Sequence, residues 1–154
     1  MQNFRDQLIK VYSKTNQFGE LLGIRLTKFE SDEIEYSLLV EDRHLATPTT
    51  AHGGVLSAYM DGILGLAALY VSSEFGNLVS TVEFKINYLS PVRKGDVLIG
   101  KGWVISKGNR IIVAEGEIVR ASDQRKVAVA IGTFNAYPYE KSGMSPTDFD
   151  VEAS

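Results

Sequence analysis

Asp61 is the only formally charged residue in an otherwise apolar run from Val55 to Val71. A carboxylate in such surroundings needs hydrogen-bond partners, a shifted pKa or a wet cleft, because burying it unpaired is costly. Two readings stand side by side: a structural Asp bonded at a sheet edge, and an acid or base that works on a ligand. His52-Gly53-Gly54 opens the same run. If the run is a helix, its first N–H groups are free and the positive end of its dipole lies there. Two glycines let a carbonyl or a developing oxyanion approach that backbone, although they equally suit a plain tight turn. His52 would cap or orient the turn. Spacing adds a constraint. Gly53 and Asp61 lie eight residues apart, about 12 Å along a helix axis at ~1.5 Å per residue. One reacting carbonyl cannot touch both at about 3 Å. If both serve one substrate they come from different chains, with the helices antiparallel across a two-fold axis.

Composition narrows the chemistry further. The chain has 154 residues, 44% hydrophobic and 23% charged, enough for one domain with its own core. Its net charge of −3 offers no basic field for nucleic acid. There are no cysteines, so disulfides, thiolate nucleophiles and Cys-based metal sites are excluded, and a reducing, cytoplasmic setting fits. With two histidines, a metal site built mainly on His is not expected. Met1 to Lys14 lacks the continuous apolar stretch of a signal peptide. Val55 to Val71 is shorter than the ~20 residues that usually span a membrane, and it holds Ala58, Gly62, Gly65 and Ala67. It reads as a helix buried in a soluble protein.

The elements that must position these residues follow from periodicity. Phe4, Leu8, Val11 and Tyr12 recur at helical spacing behind Asn3, a possible cap, so 4–14 reads as an amphipathic helix. Residues 18–23 form a turn or short helix. Strands are expected at 24–30 and 33–38, joined by a Ser31-Asp32 turn. A Thr-rich loop at 42–51 leads into the apolar helix, which runs from Gly53 to about Ser73. Glu74 to Asn77 breaks it. In the next strand Val82, Phe84, Ile86 and Tyr88 share one face, and Glu83, Lys85 and Asn87 the other. Three further strands near 97–106, 110–120 and 126–136 are joined by short turns, which favours an antiparallel meander. Gly100, Gly102, Gly116 and Gly132 in these strands mark bends or close backbone approach. The class is α+β, with residues 1–140 as one domain and 141–154 as a loose tail. A helix apolar nearly all round must be wrapped by the sheet or covered by another subunit.

His52 through Asp61, as His-Gly-Gly-Val-Leu-Ser-Ala-Tyr-Met-Asp, resembles the signature of the PaaI-like hotdog thioesterases. In that family His-Gly-Gly opens the central helix and an acid follows nine positions after the His. Thr81 to Tyr88 with Ser90-Pro91 is similar to the family's next strand, and Gly95-Asp96 to the turn after it; the resemblance covers residues 20–137. It implies a five- or six-stranded antiparallel sheet wrapped on one long helix. It also implies a homodimer with two sites at its interface, paired again as a dimer of dimers. The implied reaction is hydrolysis of an acyl-CoA thioester. Gly53, with Gly54 nearby, would polarise the thioester carbonyl. Asp61 of the partner chain would act as nucleophile or general base, and Thr81 would position the water. No metal or redox cofactor is implied. The sequence departs from the family at Ala46, six residues before His52, where many relatives carry Asn; His44 and Thr47 are the candidates to replace it. Arg93, Lys94, Lys107 and Arg110 lie in turns, where they would meet the phosphates of CoA or stand as ordinary solvated charges. With His52 at the turn, Tyr59, Met60, Leu64 and Tyr88 are the expected lining of an acyl pocket. The alternative is a hotdog module that binds acyl-CoA or another apolar ligand without turnover.

Overall fold

The apolar run becomes a single helix of 20 residues, α3 (Gly53–Ser72). Leu56, Tyr59, Met60, Ile63, Leu64 and Leu66 to Leu69 are all buried along it. No flat sheet covers so broad an apolar surface, and six strands curl around it. The computed structural model describes residues 2–31, 33–145 and 148. In chain order they form α1 (Gln2–Thr15), α2 (Gln17–Leu22), β1 (Arg25–Phe29), β2 (Ile34–Leu39), α3, β3 (Asn77–Tyr88), β4 (Val97–Lys107), β5 (Ile111–Arg120) and β6 (Lys126–Pro138). The strands lie in the order β1-β2-β4-β5-β6-β3, and every neighbouring pair is antiparallel. This is the sheet-wrapped helix of the hotdog fold, with six strands. The helical stretch Gly53–Phe75 is long and apolar enough to cross a membrane by composition. Here β2 to β6 pack against α3 instead.

Close approach explains glycines within the strands. A Cβ built on Gly102 would lie 2.7 Å from Ile63 Cγ2 and 3.0 Å from the Ile63 carbonyl oxygen. Only glycine lets α3 settle that deeply on β4. Tyr59 closes the same contact from the helix side, its hydroxyl donating to the Tyr36 carbonyl at 2.6 Å and the Leu98 carbonyl at 3.2 Å.

Three expectations change on contact with the structure. Helix α1 begins at Gln2, so Asn3 lies within it rather than capping it. Strand β3 begins at Asn77, earlier than the alternation from Val82 indicates. The cause is a bulge between Thr81 and Glu83: Thr81 pairs with Phe134, while Glu83 pairs with the next residue, Thr133. A bulge adds one residue and reverses which parity faces inward. Val79 and Thr81 therefore share the helix side of the sheet with Phe84 and Ile86, and Val82 is left 59% exposed. The Asp32 half of the expected turn and the tail residues 146–147 and 149–154 lie outside the described residues.

Helix α1 docks by Leu8 and Val11, both buried. Arg5 Nε donates to Ser73 Oγ at 3.0 Å and its guanidinium stacks over the Tyr70 ring at 4.0 Å. These contacts tie α1 to the C-terminal part of α3, which carries Tyr12 to the flank of Asp61.

Candidate active site

His52 is the N-cap of α3, in extended conformation at φ −69° and ψ 134°. Its Nδ1 accepts the Gly54 N–H at 2.7 Å, satisfying one of the orphan donors of the helix start. That ring is a cap, and with Nδ1 accepting, its neutral form carries the proton on Nε2. The Gly54 N–H is thereby taken. The Gly53 N–H has no hydrogen-bond partner among the described residues, so it is the open donor at the positive end of the helix. It borders a cleft of about 420 Å³ formed with Thr50, Leu56, Tyr88, Pro91 and Val92. Tyr88 props the cleft: its hydroxyl donates to the Gly53 carbonyl at 3.0 Å and is hydrogen-bonded to Ser57 Oγ. Ser57 went unnoticed in the sequence because nothing in its spacing indicates a strand tyrosine 31 residues away.

Asp61 occupies a second opening, about 160 Å³ in volume, with Tyr12, Gly62, Leu66, Val79, Thr81 and Phe134 among its walls. The carboxylate is half-buried. Thr81 Oγ1 donates to Asp61 Oδ1 at 2.8 Å, which orients the carboxylate. Oδ2 has no hydrogen-bond partner among the described residues. The β3 bulge creates this pair. In an unbulged strand Thr81 would share the outer face with Glu83, whose carboxylate there accepts from Thr133 Oγ1 at 2.7 Å. The Gly53 and Asp61 openings share no lining residue.

Other expected site residues lie elsewhere. Tyr59, Met60 and Leu64 are fully buried core side chains, which corrects the expectation that they line a pocket. Burial pushes the Tyr59 hydroxyl well above its ordinary pKa. His44 is 1% exposed. Its Nδ1 accepts the Glu41 N–H at 2.9 Å, and its Nε2 donates to the Leu22 carbonyl at 2.7 Å. With both nitrogens used, it fastens the loop before α3 to the end of α2 and cannot stand in for the family Asn. Thr47 is spent on its own turn, its Oγ1 bonding Thr50 Oγ1 at 2.6 Å and accepting the Thr50 N–H at 3.0 Å. Ala46 is exposed in that loop.

Of the cations, Arg93 bridges to Thr50 at the rim of the Gly53 cleft. Lys94 pairs with Asp42 at 2.7 Å. Lys107 pairs with Glu74 at 3.7 Å and sits over the Phe75 ring. It thus stands at the far end of α3, a helix length of roughly 30 Å from Gly53. Arg110 adjoins it there, outside both openings. Among the described residues no group of three or more His, Asp or Glu side chains is arranged to hold a metal. A further opening, walled by Lys85, Trp103, Glu115 and Ile131, lies on the outer face of the sheet, away from this chemistry.

Comparison with known proteins gives the family and agrees with the fold. Residues 49–127 match the model of the thioesterase superfamily. A protein of Saccharolobus solfataricus named as an esterase is 30% identical over 125 residues, 81% of this chain and 86% of its own length. Acyl-coenzyme A thioesterase 13 of Homo sapiens is 24% identical over 79% of this chain and 86% of that protein. The solved structure of the E. coli PaaI protein, from the phenylacetic acid degradation operon, superposes with a TM-score of 0.76 at 22% identity. The match covers 88% of this chain and 94% of that one, a likeness of fold.

Proposed function

Because this chain belongs to the thioesterase superfamily, as a thioester hydrolase with the hotdog fold, we propose that it hydrolyses acyl-CoA thioesters to the free acid and CoA at a site shared by two protomers. The Gly53 N–H of one protomer donates to the thioester carbonyl oxygen and stabilises the negative charge that grows on it. Asp61 of the other acts at the carbonyl carbon, as nucleophile or as the base that takes a proton from water. With water as nucleophile, the new C–O bond replaces the C–S bond, and CoA leaves as a thiolate that collects the proton Asp61 took from the water. With Asp61 as nucleophile, the new C–O bond belongs to an acyl anhydride on Asp61, which water then cleaves to the free acid, its second proton going to the CoA thiolate. Thr81 holds Oδ1 of Asp61, which leaves Oδ2 for the reaction. A thioester is already activated toward acyl transfer, so one oxyanion donor and one carboxylate suffice.

The observation that carries this reading is the Thr81–Asp61 bond of 2.8 Å inside an otherwise apolar opening. A structural Asp at a sheet edge would be spent on backbone donors; this one keeps an oxygen free. The dimer is supported by the separation of Gly53 from Asp61 and by β3, a 12-residue strand paired on one side only. An edge that long is a template for a second chain. Pairing of dimers through the outer sheet face is the further assembly we propose, with Trp103 and the exposed Ile131 at the contact. The test is steady-state thiol release from a panel of acyl-CoA substrates, wild type against Asp61→Asn. Turnover in the wild type with a loss of at least ~100-fold in the variant is the expected result. Equal turnover in the two removes Asp61 from the reaction.

A further inference from the structure

A ligand at Asp61 cannot reach Tyr59, Met60 or Leu64, which are sealed in the core. What borders Asp61 is the 160 Å³ opening, with the Asp61–Thr81 pair among Leu66, Val79, Phe134 and the ring of Tyr12. Two glycines of α3, Gly62 and Gly65, complete its wall. Gly in a helix interior costs about 1 kcal/mol relative to Ala. At Gly102 a backbone contact demands it. Here none does within the chain: a Cβ on Gly62 would meet only Tyr36 Cε2, at 4.0 Å, and a Cβ on Gly65 only Phe134 Cε1, at 3.7 Å. Both are ordinary contacts. The two glycines keep volume open beside the carboxylate.

Tyr12 is the lining residue that comes from α1, outside the sheet-and-helix core. Its helix is anchored by the buried Leu8 and Val11 and by Arg5. Its hydroxyl neighbours that of Tyr36, itself 4% exposed. Burial raises the Tyr12 pKa, the Tyr36 hydroxyl opposes this, and the charge of Asp61 adds to the rise. The phenol stays neutral beside the carboxylate. In size, an apolar cavity of ~150 Å³ holds one benzene ring. The Asp61 opening, of about the same volume, has room for an aryl group or a few methylenes.

We propose that Tyr12 is a specificity-determining residue: its ring ends the acyl pocket beside Asp61, so the protein takes aryl and short acyl thioesters and turns away long straight chains. This rests on the thioesterase reading, with the CoA arm entering past Gly53. The residue acts by excluded volume. Tyr12→Phe keeps the ring, Tyr12→Ala removes it, and Tyr12→Leu shortens it while keeping α1 anchored if the alanine variant does not fold. Gly65→Ala works in the opposite sense by adding a methyl to the pocket.

The experiment measures kcat/KM for acetyl-, phenylacetyl-, octanoyl- and dodecanoyl-CoA in these variants, with Kd for the same thioesters by calorimetry. Wild type favours phenylacetyl- over dodecanoyl-CoA. Tyr12→Ala (or Tyr12→Leu) raises the dodecanoyl-to-phenylacetyl ratio at least ~10-fold, the effect of about two more buried methylenes. Tyr12→Phe leaves that ratio within ~2-fold, and Gly65→Ala lowers the phenylacetyl-to-acetyl ratio at least ~5-fold. A folded Tyr12→Ala or Tyr12→Leu protein with the wild-type chain-length profile overturns the proposal, as does a wild type that prefers dodecanoyl-CoA. If wild type hydrolyses none of the panel, the hydrolysis reading fails, and the same ratios read as Kd decide the role of Tyr12. Absence of both hydrolysis and binding overturns the two together.

Discussion

Mixing two inactive variants should restore activity, and the amount recovered follows from geometry. Gly53 and Asp61 sit on one rigid helix, about 12 Å apart along its axis. A carbonyl oxygen about 3 Å from the donor, with its carbon about 3 Å from the carboxylate, bridges no more than roughly 7 Å, or roughly 10 Å with a water between carbon and carboxylate. The gap cannot close without unwinding a helix whose inward face is fully buried. The proposed site therefore joins Gly53 of one chain to Asp61 of the other. Asp61→Asn alone, or Gly53→Val alone, disables both sites of a homodimer to at most ~1% of wild type. A Cβ at position 53 would meet Tyr88 Cζ at 3.4 Å, at the tight edge of ordinary contact, so the folding of the valine variant is checked by its unfolding transition before exchange. In a mixed dimer, one site combines the intact Gly53 of the first variant with the intact Asp61 of the second. The other site collects both lesions. Random exchange of equal amounts makes half the dimers mixed, each with one working site, so about a quarter of wild-type activity returns. The assay is thiol release from phenylacetyl-CoA before and after exchange, with exchange followed by native mass spectrometry of size-tagged chains. Complete exchange with activity still at the parental level refutes the shared site, and so does a monomer with full activity.

Three further outcomes follow from single contacts. Thr81→Val removes the donor to Asp61 Oδ1 at 2.8 Å without changing side-chain size. It should lower kcat by ~10-fold or more with little change in KM, measured by steady-state kinetics, since bonds to charged groups are worth about 1.5–3 kcal/mol. Tyr59→Phe strips the shared donor from the Tyr36 and Leu98 carbonyls. It should cost about 1–3 kcal/mol in denaturant unfolding while leaving kcat unchanged, the reverse of what a pocket residue would do. Gly102→Ala forces its methyl against Ile63 and should destabilise by about 1–3 kcal/mol; a variant as stable as wild type would show that α3 does not seat on β4 as described.

The helix and strands are legible in the sequence because period and burial coincide there. Val55 to Val71 has no polar face, so only a surrounding sheet can host it. The later strands alternate cleanly between turn residues. What misleads is a local event with no compositional sign. One extra residue near Val82 reverses the parity of β3, and simple alternation puts Thr81 on the outer face. The resemblance, which does not depend on parity, marks Thr81 for the site, and the bulge provides the geometry. His44 misleads for another reason. A histidine in a polar loop reads as available, yet its partner Leu22 lies 22 residues back in the chain. Only the tertiary path reveals that both ring nitrogens are committed. Tyr59 is mistaken for pocket lining because burial in a core and burial against a ligand look the same in one dimension.

The same distinction separates the two kinds of glycine in this chain, and it bears on how the site divides its work. Gly102 is required by atoms already present, so it belongs to the fold. Gly62 and Gly65 face space that the chain's own atoms leave open, so they belong to whatever fills that space. Their position beside Asp61, one and four residues further along α3, keeps the carboxylate approachable from the side where Tyr12 stands. On the proposed reading, the acyl end of the site is assembled within one chain, from α1, α3, β3 and β6, and the partner's α3 would supply the oxyanion end. Acyl selectivity and carbonyl activation would then reside in different protomers. A change in Tyr12 should alter which acyl groups are accepted without altering subunit complementation. A block at Gly53 should silence every substrate alike.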